Sequence, residues 1–113
     1  MLISTYGFSQ DADPLQETYE KANAKLEEGD YRNAILDYSQ LINSKFTNDE
    51  VFVKRGIAHF KMKDYAKAQE DLDKAVKARQ NSAELFGYLG MTKYELKDYQ
   101  GAASDLKKGA SMG

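Results

Sequence analysis

The sequence has no cysteine, one proline and one histidine, and each shortage removes a class of function. Without cysteine there are no disulfides, thiolate metal centres or cysteine nucleophiles, and the redox compartment leaves no mark. The lone His59 has no second imidazole or thiolate with which to share a metal. No glycine-rich phosphate loop occurs, and nowhere do apolar residues run long enough to cross a bilayer. Residues 1–13 lack the basic start and apolar stretch of a secretory signal, so a cytoplasmic address is expected. Acidic and basic residues nearly cancel, leaving a net charge of -2. No basic field exists to draw phosphate backbones or anionic lipid, so neither nucleic acid nor membrane is expected as a partner.

What is present is a period. Gly29-Asp30-Tyr31 recurs as Lys63-Asp64-Tyr65 and Lys97-Asp98-Tyr99, 34 residues apart each time. Three positions after each Tyr stands an Ala (Ala34, Ala68, Ala102), and three further on an Asp (Asp37, Asp71, Asp105). With 113 residues the chain is one domain, divided into an N-terminal arm, 1–13, and repeats at 15–48, 49–82 and 83–113. The arm carries Leu2, Ile3, Tyr6 and Phe8 without a helical period, which predicts an extended segment.

Punctuation predicts six helices. Asp13 followed by Pro14 is an N-cap and first helical residue, and Gly29 ends that helix through a left-handed backbone. Asp30 is expected to cap the next, Tyr31 to about Ser44. Thr47 and Asn81 each precede a Glu by three residues, Glu50 and Glu84, and so predict capping boxes. Helical spacing assigns apolar faces to Leu15, Tyr19, Ala22 and Leu26; to Phe52, Gly56 and Phe60; and to Phe86, Gly90 and Tyr94. The following helices show Ala34, Ile35, Tyr38, Leu41 and Ile42; Tyr65, Ala68, Leu72, Ala75 and Val76; and Tyr99, Ala102, Leu106 and Ala110. One pair cannot bury such stripes alone, so the pairs must stack.

This pattern resembles the tetratricopeptide repeat: a small residue at position 8 (Ala22, Gly56, Gly90), Gly-Asp-Tyr or its like at 15 to 17, Ala at 20, and an aromatic or Leu at 24. The resemblance implies an all-α, right-handed superhelical solenoid of three antiparallel helix pairs. Departures are Leu41 and Gly109 at position 27 and Phe46 and Gln80 at position 32. Lys21 and Arg55 stand where the family prefers an apolar residue, so their stems are expected over the core with their charges in water. The first pair should pack least closely.

In proteins of this kind the first helices line a concave groove, and the resemblance carries that role to Tyr19, Asn23, Leu26, Val53, Lys54, Ile57, Phe60, Gly87, Met91 and Tyr94. That row is mostly apolar, which fits an apolar-containing peptide or helix from a polypeptide partner. The groove is the favoured reading, but one helical turn separates groove from core, so some of these residues can be read as core instead; Ile57→Lys would separate the two readings. Family members that grip a C-terminal carboxylate do so with paired cations and asparagines at positions that here read Tyr19, Asn23, Lys54, Glu84 and Tyr88. Only Asn23 matches, so no charge-assisted carboxylate clamp is expected.

No catalytic set is assembled: His59 reads as structural and the Asp37, Asp71, Asp105 ladder as a solvated row. The recurring Tyr31, Tyr65 and Tyr99 read as packing residues, not base-stacking platforms. At the last repeat Ala103 and Ala110 replace the larger Ile35 and Ile42 of the first, which reads either as an end to the array or as a flat seat for another helix. Two functions follow, neither needing a metal, cofactor or catalytic residue. One is an adaptor or scaffold that holds a polypeptide in its groove. The other is a self-assembling module that forms a homodimer through the arm or the final helix face.

Overall fold

A computed structural model describes residues 13–113. The segment read as an arm therefore lies outside the described residues, apart from Asp13. Six helices follow in order: α1 (Pro14–Glu27), α2 (Tyr31–Asn43), α3 (Glu50–Lys61), α4 (Tyr65–Lys77), α5 (Ala83–Glu95) and α6 (Tyr99–Met112). Asp13 accepts a hydrogen bond from the Leu15 amide at 3.0 Å, so α1 starts as expected. Asp64 and Asp98 likewise accept from the Lys67 and Gly101 amides. Asp30 does not cap α2, because its carboxylate is held by the Asn33 side-chain amide, with both contacts at 3.0 Å. The expected capping boxes do not form, and the capping oxygens lie one residue later. Asn48 and Ser82, rather than Thr47 and Asn81, accept from the Glu50 and Leu85 amides. Glu50 instead accepts a hydrogen bond from the Tyr19 hydroxyl.

Each of the first five helices ends alike. Gly29, Lys45, Lys63, Arg79 and Lys97 all take positive φ, from 59° to 86°, and the next residue's amide reaches back to close the last turn. Glycine suits this conformation, whereas the other four accept a left-handed backbone to satisfy the helix-end carbonyls. The result is a tight reversal after every helix, and hence antiparallel neighbours.

Consecutive helices pack along the chain, and α3 also touches α1 and α5, whereas α2, α4 and α6 do not touch one another. First helices therefore form the inner face of a curved stack and second helices the outer. Two apolar clusters run through it. Tyr19, Ala22, Ala34, Tyr38, Leu41 and Val51 join repeats one and two. Val53, Ile57, Leu72, Ala75, Leu85, Phe86 and Leu89 join repeats two and three. Within pairs, a Cβ on Gly56 would lie 2.8 Å from the Leu72 side chain, and one on Gly90 2.6 Å from Leu106. The missing Cβ leaves room for each leucine against its first helix, where α1 carries Ala22 at the equivalent place. The third repeat departs from expectation in one respect. Tyr99, Leu106 and Ala110, read as packed, are exposed, with no helix following α6 among the described residues, and Val76 of α4, also read as packed, is 37% exposed.

Candidate functional site

The inner face is built from one stripe on each first helix. On α1, Tyr19 is buried and hydrogen-bonded to Glu50, while Asn23 accepts from the Tyr38 hydroxyl at 2.6 Å. Burial and the Glu50 carboxylate push the Tyr19 hydroxyl well above its ordinary pKa, so it stays protonated as a donor. Leu26 is half-buried against both clusters. On α3, Val53 and Ile57 are 3% and 4% exposed. Tyr19, Val53 and Ile57 are thus core residues and not lining ones. Val53 and Ile57 are covered because α3 lies between α1 and α5, with Leu26 on one side and Leu85, Phe86 and Leu89 on the other, while Tyr19 is covered by Tyr38, Phe46 and Val51.

The stripe reopens on α5. Gly87 has nothing within 4 Å of where a Cβ would stand, Met91 is 38% exposed and Tyr94 58%. On α3 Phe60 is half-buried, its ring 5.4 Å from Tyr88 and 5.5 Å from Tyr65 in edge-to-face contacts. Tyr94 meets Tyr99 in the same way at 5.4 Å. Lys54, read as a groove-side cation, points toward Glu84 at 3.9 Å, a loose pairing across α3 and α5. Of the residues assigned to the groove, Met91 and Tyr94 are the exposed ones, on one stripe of α5 with Gly87, while Phe60 on α3 is half-buried against Tyr88 and Tyr65. Asn23, Leu26 and Lys54 stand half-buried beside the closed part.

A second site was missed by sequence reasoning. Between α2, α3 and α4 lies a cavity of about 280 Å³, lined by Ile35, Ser39, Arg55, His59, Lys67, Glu70 and Asp71. Asp71 is 1% exposed, not solvated, and Arg55 grips it with two hydrogen bonds at 2.7 and 2.8 Å while donating a third to Ser39 at 2.9 Å. The Arg55 charge is therefore sequestered instead of lying in water, and it ties helices of two repeats together. Asp37 and Asp105 are also paired, with Lys25 at 2.6 Å and Lys93 at 2.7 Å, and are only partly exposed. The Lys93 contact is an ion pair without hydrogen-bond alignment. The signal was in the sequence: Lys25, His59 and Lys93 share the 34-residue period and each precedes its Asp by 12. In the middle repeat His59 replaces the lysine, and Arg55, one turn earlier, supplies the missing charge.

Burial lowers the His59 pKa below its ordinary value, and Arg55 adds to that, outweighing the opposing pull of Asp71. Near pH 7 the imidazole is neutral, and its Nε2 lies 3.8 Å from Asp71, beyond hydrogen-bond range. With both Asp71 oxygens taken by Arg55, the two do not form an acid–base relay. Their arrangement is a structural tie. Among the described residues no cluster of His, Cys, Asp or Glu could hold a metal ion, and no helix is long and apolar enough to cross a membrane.

Residues 49–82 match the family model described as tetratricopeptide repeat. A search of curated proteins returns no match. Among solved structures, the second repeat domain of Spaghetti (RPAP3) bound to the HSP90 peptide SRMEEVD is similar with a TM-score of 0.80 and 21% identity, over 88% of this chain and 92% of that one. PcrH in complex with the chaperone binding region of PopB gives 0.80 and 17%, over 96% and 86%. The Sgt2 repeat domain from Aspergillus fumigatus gives 0.77 and 23%, over 89% and 67%.

Proposed function

Because the chain folds as a tetratricopeptide-repeat array of three helix pairs, we propose that it is a non-catalytic interaction module whose inner face takes apolar side chains from a peptide or helix of another polypeptide. The observation that carries this is the open stretch on α5. Met91 and Tyr94 are exposed on one stripe of α5, and Gly87 on the same stripe leaves space above the helix for an incoming side chain. Methionine adapts to irregular partners, and a solvated aromatic next to it supplies the larger apolar contact. The occupied repeats of Spaghetti and PcrH support a polypeptide ligand through likeness of fold. The ligand chemistry here differs from a carboxylate clamp. Tyr19 is committed to Glu50, and Glu84 places a negative charge across from Lys54, so a terminal carboxylate finds no pair of free cations.

The test uses the full chain and a display library of random 15-residue peptides, with selected binders measured by fluorescence anisotropy. We expect binders rich in apolar residues, weakened about tenfold or more by Met91→Lys or Tyr94→Ala, with the melting temperature lowered by only a few degrees because both side chains are exposed in part. If no peptide is selected, or the selected ones ignore both substitutions, the reading fails. Ile57→Lys is not a suitable probe, since Ile57 is core.

A further inference from the structure

The outward faces of α1 and α6 are finished differently. Where α3 presents Val51, Phe52, Arg55 and Ala58, and α5 presents Leu85, Phe86, Leu89 and Thr92, α1 presents Glu17, Thr18, Lys21 and Ala24. Those α5 residues are all buried, as are Val51 and Ala58 of α3, whereas Glu17, Lys21 and Ala24 are exposed. The first face is already suited to water. The last is not: Tyr99, Ala103, Leu106 and Ala110 form a continuous uncharged stripe along α6, with Tyr99 57% and Leu106 40% exposed. At the Leu106 position of the earlier repeats, Tyr38 and Leu72 are fully buried.

We propose that this stripe is a two-fold interface, on which α6 of a second copy lies antiparallel. Its spacing of four, three and four residues is that of a helix–helix seam, and its order of sizes is self-complementary. Antiparallel pairing about the middle of the stripe seats Leu106 over Ala103 of the second copy and Tyr99 over its Ala110. The reciprocal contacts repeat both, so every large side chain meets a small one. The seam's edges agree. On one edge Gln100 of each copy lies near Lys107 of the other, and no like charges are opposed; on the other edge Ala102 and Gly109 are buried in their own repeat. Head-to-tail stacking is disfavoured, since it would press the stripe onto Glu17 and Lys21 and strip both of water without giving either a partner. A single pair of 14-residue helices buries less than a standard protein interface, so the dimer is weak, with a dissociation constant on the order of tens to hundreds of micromolar.

Sedimentation of the full chain from about 5 to about 500 µM tests this across the expected range. A dimer should appear as concentration rises; Ala103→Glu, at an exposed position, should abolish it without loss of helicity, and Leu106→Glu should abolish it with some loss of stability, since Leu106 also packs on Gly90. Met91→Lys should leave it intact, which separates this surface from the proposed groove. The absence of cysteine supplies a geometric readout. Ala103→Cys and Leu106→Cys chains, mixed and mildly oxidised, should give the mixed disulfide in preference to either homodimer, because the seam sets these positions opposite each other. A monomer throughout, a dimer that survives both Glu substitutions, or dominant Ala103→Cys homodimer would each overturn the proposal.

Discussion

Leu72 and Leu106 occupy the same place in the repeat, and each presses on a glycine of its partner helix, Gly56 and Gly90, yet the first is fully buried and the second 40% exposed. The contact inside the pair is nearly identical. What differs is the outer side, where α5 covers Leu72 and, among the described residues, nothing covers Leu106. Burial in a stack of repeats is thus conferred by the neighbour, and the same side chain in the same frame is core or surface according to its rank in the array.

Truncation tests this comparison with the largest expected effect. Leu72→Ala removes a side chain from the cluster shared with Ile57, Ala75, Leu85 and Phe86, and should cost about 3 kcal/mol, or a melting-temperature drop of roughly 12 °C or more. Leu106→Ala, measured at low micromolar concentration, should cost about 1 kcal/mol or less, because much of its surface already meets water. Thermal denaturation followed by circular dichroism compares them directly. Equal losses would mean that the outer face of α6 is covered in solution even by dilute protein.

The second contrast sets the middle repeat against those flanking it. Asp71→Ala leaves the Arg55 guanidinium without the carboxylate it holds by two hydrogen bonds, in a site where its side chain is 17% exposed. A loss of about 2 to 3 kcal/mol is expected, reduced from the fully buried case because the Arg55 side chain keeps 17% of its surface exposed. Asp37→Ala should cost well under 1 kcal/mol, since the Lys25 side chain is 37% exposed and solvates readily. Asp105→Ala should fall between, its Lys93 partner being 19% exposed. Urea unfolding of the three variants checks the order, and a flat series would show that the sequestered arginine contributes no more than a surface pair.

These contrasts also mark what could be read from the chain alone. The 34-residue period located all six helices, because small residues, turn-closing residues and capping groups recur together and each has a local cause. Depth was harder to read. Val53 and Met91 sit on comparable stripes, but only one has a helix on either side, and periodicity gives the angle of a side chain without the height of its neighbours. The Asp ladder misled for a related reason. Three identical residues suggested three identical surfaces, while the partners twelve residues upstream alternate as Lys25, His59 and Lys93, and that substitution marks the tied site.

The smallest effect isolates His59 from its two lysine counterparts. Its folded-state pKa is lowered, chiefly by burial, so the unfolded chain takes up the proton first as pH falls. The stabilisation is fully present above the ordinary value near 6.5 and is lost as pH drops from there through the folded-state value. Carboxylates titrate toward the lower end of the same range, so the contribution is read as the melting-temperature gap between wild type and His59→Gln. That gap should narrow between pH 7.5 and 5.5. As the one histidine of the chain, His59 also gives a single imidazole resonance whose titration reports the folded-state value directly. A gap that widens on acidification, with a resonance titrating above 6.5, would mean that Asp71 holds the imidazolium despite Arg55, and that the middle repeat pairs its position-11 cation as Lys25 and Lys93 do.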